Sequence, residues 1–239
     1  MSVLTINQKF RAVTSVAAAA APSEAALRTA EMFGIGLDES YEVTLYDNLR
    51  VDVRPGDVVY VTGPSGSGKS VLLARLAEAL LAAWPDARVA DLAAVRLPAD
   101  RAVIDLMRPP LEQALRILSA AGLADAFLLL RTPQELSDGQ RWRLRLAMAV
   151  QQCGVPAAAG TPHCLLVADE FCSTLDRLCA RAAAYRVRRM ASREGITVLA
   201  ASAHDDLLED LAPNVLVVKH EGSRVEVLYA DPSREEARP

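Results

Sequence analysis

Val58-Val59-Tyr60-Val61-Thr62, followed by Gly63-Pro64-Ser65-Gly66-Ser67-Gly68-Lys69-Ser70, decides the fold of this 239-residue chain. The first five residues form a nearly continuous apolar run, the pattern of a strand buried in the middle of a sheet. The next eight fit G-x-x-x-x-G-K-[ST] at every position, and from about Lys69 to Ala83 a helix is expected, with apolar residues at helical spacing. Glycines allow the backbone N–H groups of such a loop to turn inward, and the start of a helix adds partial positive charge. A strand–loop–helix unit of this kind is built for phosphate. It predicts Lys69 on the β- and γ-phosphates of ATP, the Ser70 hydroxyl on Mg²⁺, and the loop from Gly63 to Val71 wrapped around the nucleotide.

Outward from the loop, alternation of strands and helices predicts an α/β fold. Toward the N-terminus, residues 41–46 and 49–54 each alternate in the manner of a strand, and Pro55-Gly56-Asp57 makes a turn. On the other side, Ala87 to Leu92 is a strand candidate. Residues 97–152 read as a helical insertion broken at Pro109-Pro110, Gly122 and Pro133. Strands are predicted again at Cys164 to Ala168, Thr197 to Ser202, Val215 to Lys219 and Arg224 to Leu228, with a helix from Thr174 to Arg193. Residues 1–40 are expected to be a lead-in of weak pattern with one helix, Glu24 to Phe33, capped by Ser23 and stopped by Gly34 and Gly36. The ATPase domain is expected over residues 41–230, and residues 231–239 as a flexible tail.

Composition narrows the function classes. With 51% apolar and 23% charged residues the chain can bury a core, which argues against disorder. A net charge of −4 argues against a protein that coats nucleic acid indiscriminately. No run approaches the roughly 18 apolar residues of a membrane helix. The alanines at 17–21 are too weakly apolar for a signal peptide core and read as a linker or helix start, so a cytoplasmic location is expected. Cys153, Cys164, Cys172 and Cys179 lack the spacing of a structural zinc site and read as free thiols.

Two further stretches carry chemistry. Leu165-Leu166-Val167-Ala168-Asp169-Glu170 is an apolar strand ending in two acids. That places Asp169 at a sheet edge, where it can hold Mg²⁺, and Glu170 next to it, where it can act as general base toward water. Leu136-Ser137-Asp138-Gly139-Gln140 resembles the LSGGQ signature of ATP-binding-cassette (ABC) ATPases, with Asp138 where glycine is usual. Ser137 is expected to cap a helix, and its hydroxyl with the Gly139 N–H can bind a phosphate. Ser173-Thr174-Leu175-Asp176 is similar to the family's D-loop, and His204 to its switch histidine. Tyr41, with Tyr46 as rival, lies roughly where the family stacks an aromatic ring on adenine.

The resemblance covers about Tyr41 to Leu228 and implies a P-loop core with an N-terminal antiparallel β element. It implies catalytic roles for Glu170, His204 and Lys69, and Mg²⁺ ligation by Ser70 and Asp169. Ser137, Gly139, Gln140 and Asp176 would then meet the ATP held by a second subunit, which makes a homodimer the working form. Transporter cassettes carry a glutamine loop between the phosphate loop and the signature; Gln113 and Gln134 are poor counterparts, and the insertion is short. The runs 55–63, 135–145 and 169–177 look closest to a group of soluble ABC-type ATPases found alone or joined to an acetyltransferase domain. A stand-alone ATPase with an unknown protein partner is therefore expected, with a membrane transporter subunit as the alternative. Arginines at 141, 143, 145, 181, 186, 188, 189 and 193 leave a nucleic-acid maintenance ATPase as a third class, against the blander reading of a solvated helix face.

Overall fold

In the computed structural model the described residues are 2–13, 23–34, 40–154, 163–220 and 222–234. The alanine run at 17–21 lies outside them. Strand β1 (Ser2–Val13) pairs antiparallel with β2 (Ser40–Val53), and helix α1 (Glu24–Phe33) stands between them in sequence. Then follow β3 (Val58–Thr62), α2 (Lys69–Ala83) and β4 (Arg88–Asp91). The helical insertion comprises α3 (Leu111–Ala121), α4 (Ala126–Leu129) and α5 (Asp138–Cys153), with short 3-10 turns at Val103–Leu106 and Pro133–Glu135. β5 (Cys164–Ala168), α6 (Arg177–Glu194), β6 (Ile196–Ser202), α7 (Leu208–Leu211), β7 (Val215–Lys219) and β8 (Val225–Tyr229) complete the order.

The main sheet runs β4-β5-β6-β3-β7-β8, parallel except for the antiparallel β7–β8 edge. β3 is therefore central, as its continuous apolar run requires, and all five of its residues are buried. Alternate side chains divide between two cores. Val58 and Tyr60 face a cluster with α3, α5 and α6, including Leu118, Leu146 and Val187. Val59 and Val61 face a second cluster with Leu72, Leu76 and Leu80 of α2 and with Leu4, Ile6, Val51 and Val53 of the β1–β2 pair. The antiparallel ribbon thus closes one face of the sheet over α2, and the expected N-terminal β element is present.

Three local expectations need correction. Residues 2–13 form a strand where no strand was read, because only Leu4 and Ile6 point inward before the register slips around Gln8. The two runs at 41–46 and 49–54 are one strand: Asn48 takes a left-handed φ of 46°, and its N–H donates to Asn7 Oδ1 at 2.6 Å, so the bend stays within the pair. The tail is not loose at its start. Arg234 is buried and grips Asp57 through both Nη atoms, at 2.7 and 3.2 Å, so residues 231–234 are pinned. Residues 235–239 lie outside the described part. The N-terminal helix falls where it was read, with Ser23 Oγ accepting from the Ala26 N–H at 3.2 Å and Gly34 left-handed at its end.

Candidate active site

The phosphate loop joins the C-terminal end of β3 to α2, so the loop opens at the carboxyl edge of the sheet, where α/β proteins bind ligands. Gly63 allows this. A Cβ there would lie 2.2 Å from the Lys219 carbonyl oxygen, so a side chain would push the loop off β7. Gly68 precedes α2 with φ 96°, a value that disfavours any side chain. Lys69 Nζ donates to the Gly63 and Pro64 carbonyls at 2.8 and 2.7 Å, which holds the ammonium across the mouth of the loop. Partial burial lowers its pKa, and the Asp169 carboxylate works in the opposite direction.

From β5 and β6 come the other walls. β5 delivers Asp169 and Glu170, and the Glu170 N–H donates to Asp169 Oδ1 at 2.9 Å. Glu170 and Cys172 take left-handed φ values of 49° and 60°, a conformation that costs energy in non-glycine residues. The turn is secured by the Phe171 N–H on the Ala201 carbonyl at 2.7 Å, which ties it to β6. Past β6, the His204 N–H donates to Ser202 Oγ at 3.2 Å, and Tyr60 Oη donates to the His204 carbonyl.

Together these elements line a cleft of 460 Å³ that includes Ser65, Gly66, Lys69, Ser70, Asp169, Glu170 and His204. Residues separated by up to 139 positions thus converge. A hydroxyl from Ser70 and a carboxylate from Asp169 in one cleft are hard oxygen donors of the kind that would hold Mg²⁺. Ser67 Oγ, inside the loop, is buried without a hydrogen-bond partner among the described residues, as a group waiting for an acceptor would be. The donor set fits Mg-ATP.

Other residues picked from the sequence lie elsewhere. Ser137 caps α5 in a capping box: its Oγ accepts from the Gln140 N–H at 3.3 Å, and Gln140 Oε1 accepts from the Ser137 N–H at 3.0 Å. Asp138 pairs with Arg141 at 2.6 Å. Neither these residues nor Gly139 line the cleft of their own chain. Asp176 caps α6 through the Cys179 N–H at 2.9 Å. Val71 sits in the first turn of α2, behind the lining residues.

Tyr41 belongs to β2, but its side chain lies outside the described residues. Its rival Tyr46 is corrected: it is 1% exposed and donates to the Gly68 carbonyl at 2.8 Å, so it supports the loop from below and cannot stack on a base. Sequence reading missed Ser202, visible only as the last strand residue before His204. It also missed Arg96, which lines a second cleft of 450 Å³ with Arg145 and Trp142. That cleft shares Asp169, Glu170 and Ser173 with the first and has no glutamine in its wall.

A phosphate loop at the end of a central parallel strand, faced by an Asp–Glu pair, defines a P-loop ATPase. Residues 43–218 match the AAA ATPase domain family. The hemin import ATP-binding protein HmuV of Pseudomonas entomophila is 32% identical over 214 residues, covering 78% of this chain and 82% of its own. The vitamin B12 import ATP-binding protein BtuD of Citrobacter koseri is 30% identical, covering 71% and 75%. In fold, the dimeric post-hydrolysis state of the ATP-binding cassette MJ0796 bound to ADP and Pi aligns with a TM-score of 0.56 at 17% identity, over 80% of this chain and 94% of that one. The chain belongs to the matched ATPase domain family and, by its relatives, to the ABC-type ATPases; it is an enzyme that hydrolyses ATP with Mg²⁺. Among the described residues no helix is long and apolar enough to cross a membrane.

Proposed function

We propose that the chain works as a homodimer that sandwiches two Mg-ATP molecules and is opened by their hydrolysis. The observation that carries this reading is the separation on one chain between the nucleotide cleft and the phosphate-binding helix start at Ser137–Gln140. A second copy brings the two together. Lys69 then balances the β- and γ-phosphates, with the loop amides from Gly63 to Val71 around them. Ser70 and Asp169 hold Mg²⁺, Glu170 polarises the attacking water, and His204 meets the γ-phosphate. Ser137, Gly139, Gln140 and Asp176 act across the interface, and Tyr41 stacks on adenine.

The test uses Glu170→Gln, which keeps the fold of the cleft and removes the base. With Mg-ATP this variant sediments as a dimer and with ADP as a monomer; a monomer under both conditions overturns the sandwich.

For the coupled partner, we favour a soluble protein, as in the stand-alone or acetyltransferase-linked cassettes the sequence resembles. The second cleft supports this, since Arg96 and Arg145 line it beside Asp169 and Glu170 and no glutamine does. The names of the relatives favour the second reading, the ATP-binding subunit of an importer. Trapping the Glu170→Gln complex from native cells separates the two: a membrane protein with many spans establishes the importer, and soluble partners alone exclude it.

A further inference from the structure

A cleft of 590 Å³, larger than the nucleotide cleft and sharing no residue with it, lies between α3 and α6. Arg116 of α3 and Arg186, Arg189 and Arg193 of α6 line it, together with Tyr185 and a single acid, Glu194. Arg116 engages that acid at 3.3 Å. No carboxylate among the described residues pairs with Arg186, Arg189 or Arg193. The other half of the same helix behaves differently: Arg177 pairs with Asp206 at 3.2 Å and Arg181 with Asp210 at 2.6 Å. So α6 has a neutralised first half and a bare cationic second half, in a protein whose net charge is −4.

The bare half is internally unfavourable. Arg186 and Arg189 are three residues apart, and Arg189 and Arg193 four, the spacings at which like charges on a helix repel. An anion in the cleft relieves that repulsion. Guanidinium forks match phosphate oxygens in two-point contacts. From Arg186 to Arg193 the helix rises about 10 Å, which suits a length of backbone better than one isolated phosphate. The Arg186 guanidinium lies close against Gly122 at the end of α3, where a Cβ would meet it at 2.7 Å.

Tyr185 decides between kinds of polyanion. Its side chain is 47% exposed, and the Arg189 guanidinium lies over its ring at 5.7 Å from the centroid while donating to its Oη at 3.4 Å. An aromatic ring and a guanidinium side by side offer a stacking platform to a base, a feature that a carboxylate-bearing peptide does not use.

We propose that the α3–α6 cleft binds single-stranded nucleic acid, with phosphates on Arg116, Arg186, Arg189 and Arg193 and a base on Tyr185. Binding is measured on the nucleotide-free full chain, so the result does not depend on the dimer reading. Fluorescence anisotropy of labelled oligothymidylate and oligouridylate across a salt series reads it, and a preference between the two identifies DNA or RNA as the source.

Wild-type affinity falls as salt rises. Combining Arg186→Ala, Arg189→Ala and Arg193→Ala lowers affinity at least tenfold at low salt and flattens the log–log slope by about 0.7 for each phosphate contact removed. Tyr185→Ala lowers affinity about fivefold or more without changing the slope, and Tyr185→Phe restores it. Basal ATPase rate and thermal midpoint of the variants stay at wild-type values, which shows that the fold is intact. No binding by the wild type at low salt, or equal binding by the triple variant, overturns the proposal. If polyglutamate competes as well as the oligonucleotide and Tyr185→Ala changes nothing, the cleft belongs to an acidic protein segment instead.

Discussion

The Tyr46 hydroxyl donates a hydrogen bond of 2.8 Å to the carbonyl of Gly68, so a strand of the N-terminal ribbon holds the phosphate loop at the point where α2 begins. The Tyr46 ring also receives the buried Lys219 ammonium, at 5.6 Å from its centroid. Lys219 in turn donates to the His220 and Gly222 carbonyls, and its own carbonyl abuts Gly63. The two ends of the loop thus rest on one connected set of side chains.

Tyr46→Phe keeps the ring and removes only the strut. The expected loss is about 1 kcal/mol of stability, the usual net value of one buried hydrogen bond. If the strut also fixes the loop for phosphate, ATP affinity falls about fivefold with it, since the same energy then appears in binding. Thermal unfolding and equilibrium ATP binding check the two parts separately.

Burial pushes the hydroxyls of Tyr46 and Tyr60 up to about 12, from 10 for an ordinary tyrosine. The sign follows from proton binding. Folding raises these pKa values, so the stability they contribute is complete below pH 10 and is lost as pH rises toward 12. Lys219 acts with the opposite sign, because burial lowers its pKa below 10.5 and the folded state gains on its deprotonation. Burial also raises the Cys172 thiol above 9.0, so a decline is expected to begin from about pH 9 and to steepen above pH 10.5 as the tyrosines ionise in the unfolded chain. Denaturant midpoints measured across that range check it, and Tyr60→Phe should reduce the slope of the decline.

How much of this was readable in the sequence varied with the distance over which each feature is decided. The phosphate loop, α2 and β5 with Asp169 and Glu170 are contiguous, and their residue types state their geometry; they lie where they were read. The α1 caps at Ser23 and Gly34 are equally local. β1 was not readable, because its meaning comes from pairing with β2 and only Leu4 and Ile6 mark its inward face. Tyr46 as a loop support depends on a contact 22 residues away in sequence. The α3–α6 cleft joins residues as far apart as Arg116 and Glu194, so the arginines appeared in the sequence as a list without a surface.

Replacing Glu170 by glutamine removes a group that can accept a proton and leaves the left-handed turn in place. Turnover should fall about 10²- to 10⁴-fold, the range for loss of a general base, with ATP affinity kept. Lys69→Ala should lose both, since the ammonium now resting on the Gly63 and Pro64 carbonyls is the loop's fixed positive charge. Steady-state phosphate release and nucleotide binding on the two variants distinguish these roles.

Ser137→Ala removes the acceptor for the Gln140 N–H and breaks the capping box, at a cost of about 1 kcal/mol. On the sandwich reading, turnover falls further than this destabilisation explains, while affinity for the first ATP is unchanged. Asp138→Gly is the companion variant. Asp138 is 77% exposed and its partner Arg141 33%, so loss of the pair itself should change stability by less than about 1 kcal/mol. On the same sandwich reading turnover should rise, because a carboxylate would be removed from beside the γ-phosphate held by the facing subunit. Rates measured against protein concentration test whether both effects belong to the dimer.

The pair formed by Arg234 and Asp57 lets the end of the described chain act on its centre. Both side chains are nearly buried, at 7% and 6% exposure, and the contact is two-pronged. Asp57 Oδ2 also accepts from the Arg54 N–H at 2.8 Å, in the turn that leads into β3. Arg234→Ala leaves that carboxylate buried without its cation, and such a break costs about 3–5 kcal/mol. Adding Asp57→Asn removes the stranded charge but keeps an acceptor for the Arg54 N–H, so the double variant should recover part of the loss. A double-mutant cycle by chemical denaturation measures the coupling. Additive losses would show that Arg234 only packs there, and a chain cut after Ser233 should then be as stable as Arg234→Ala.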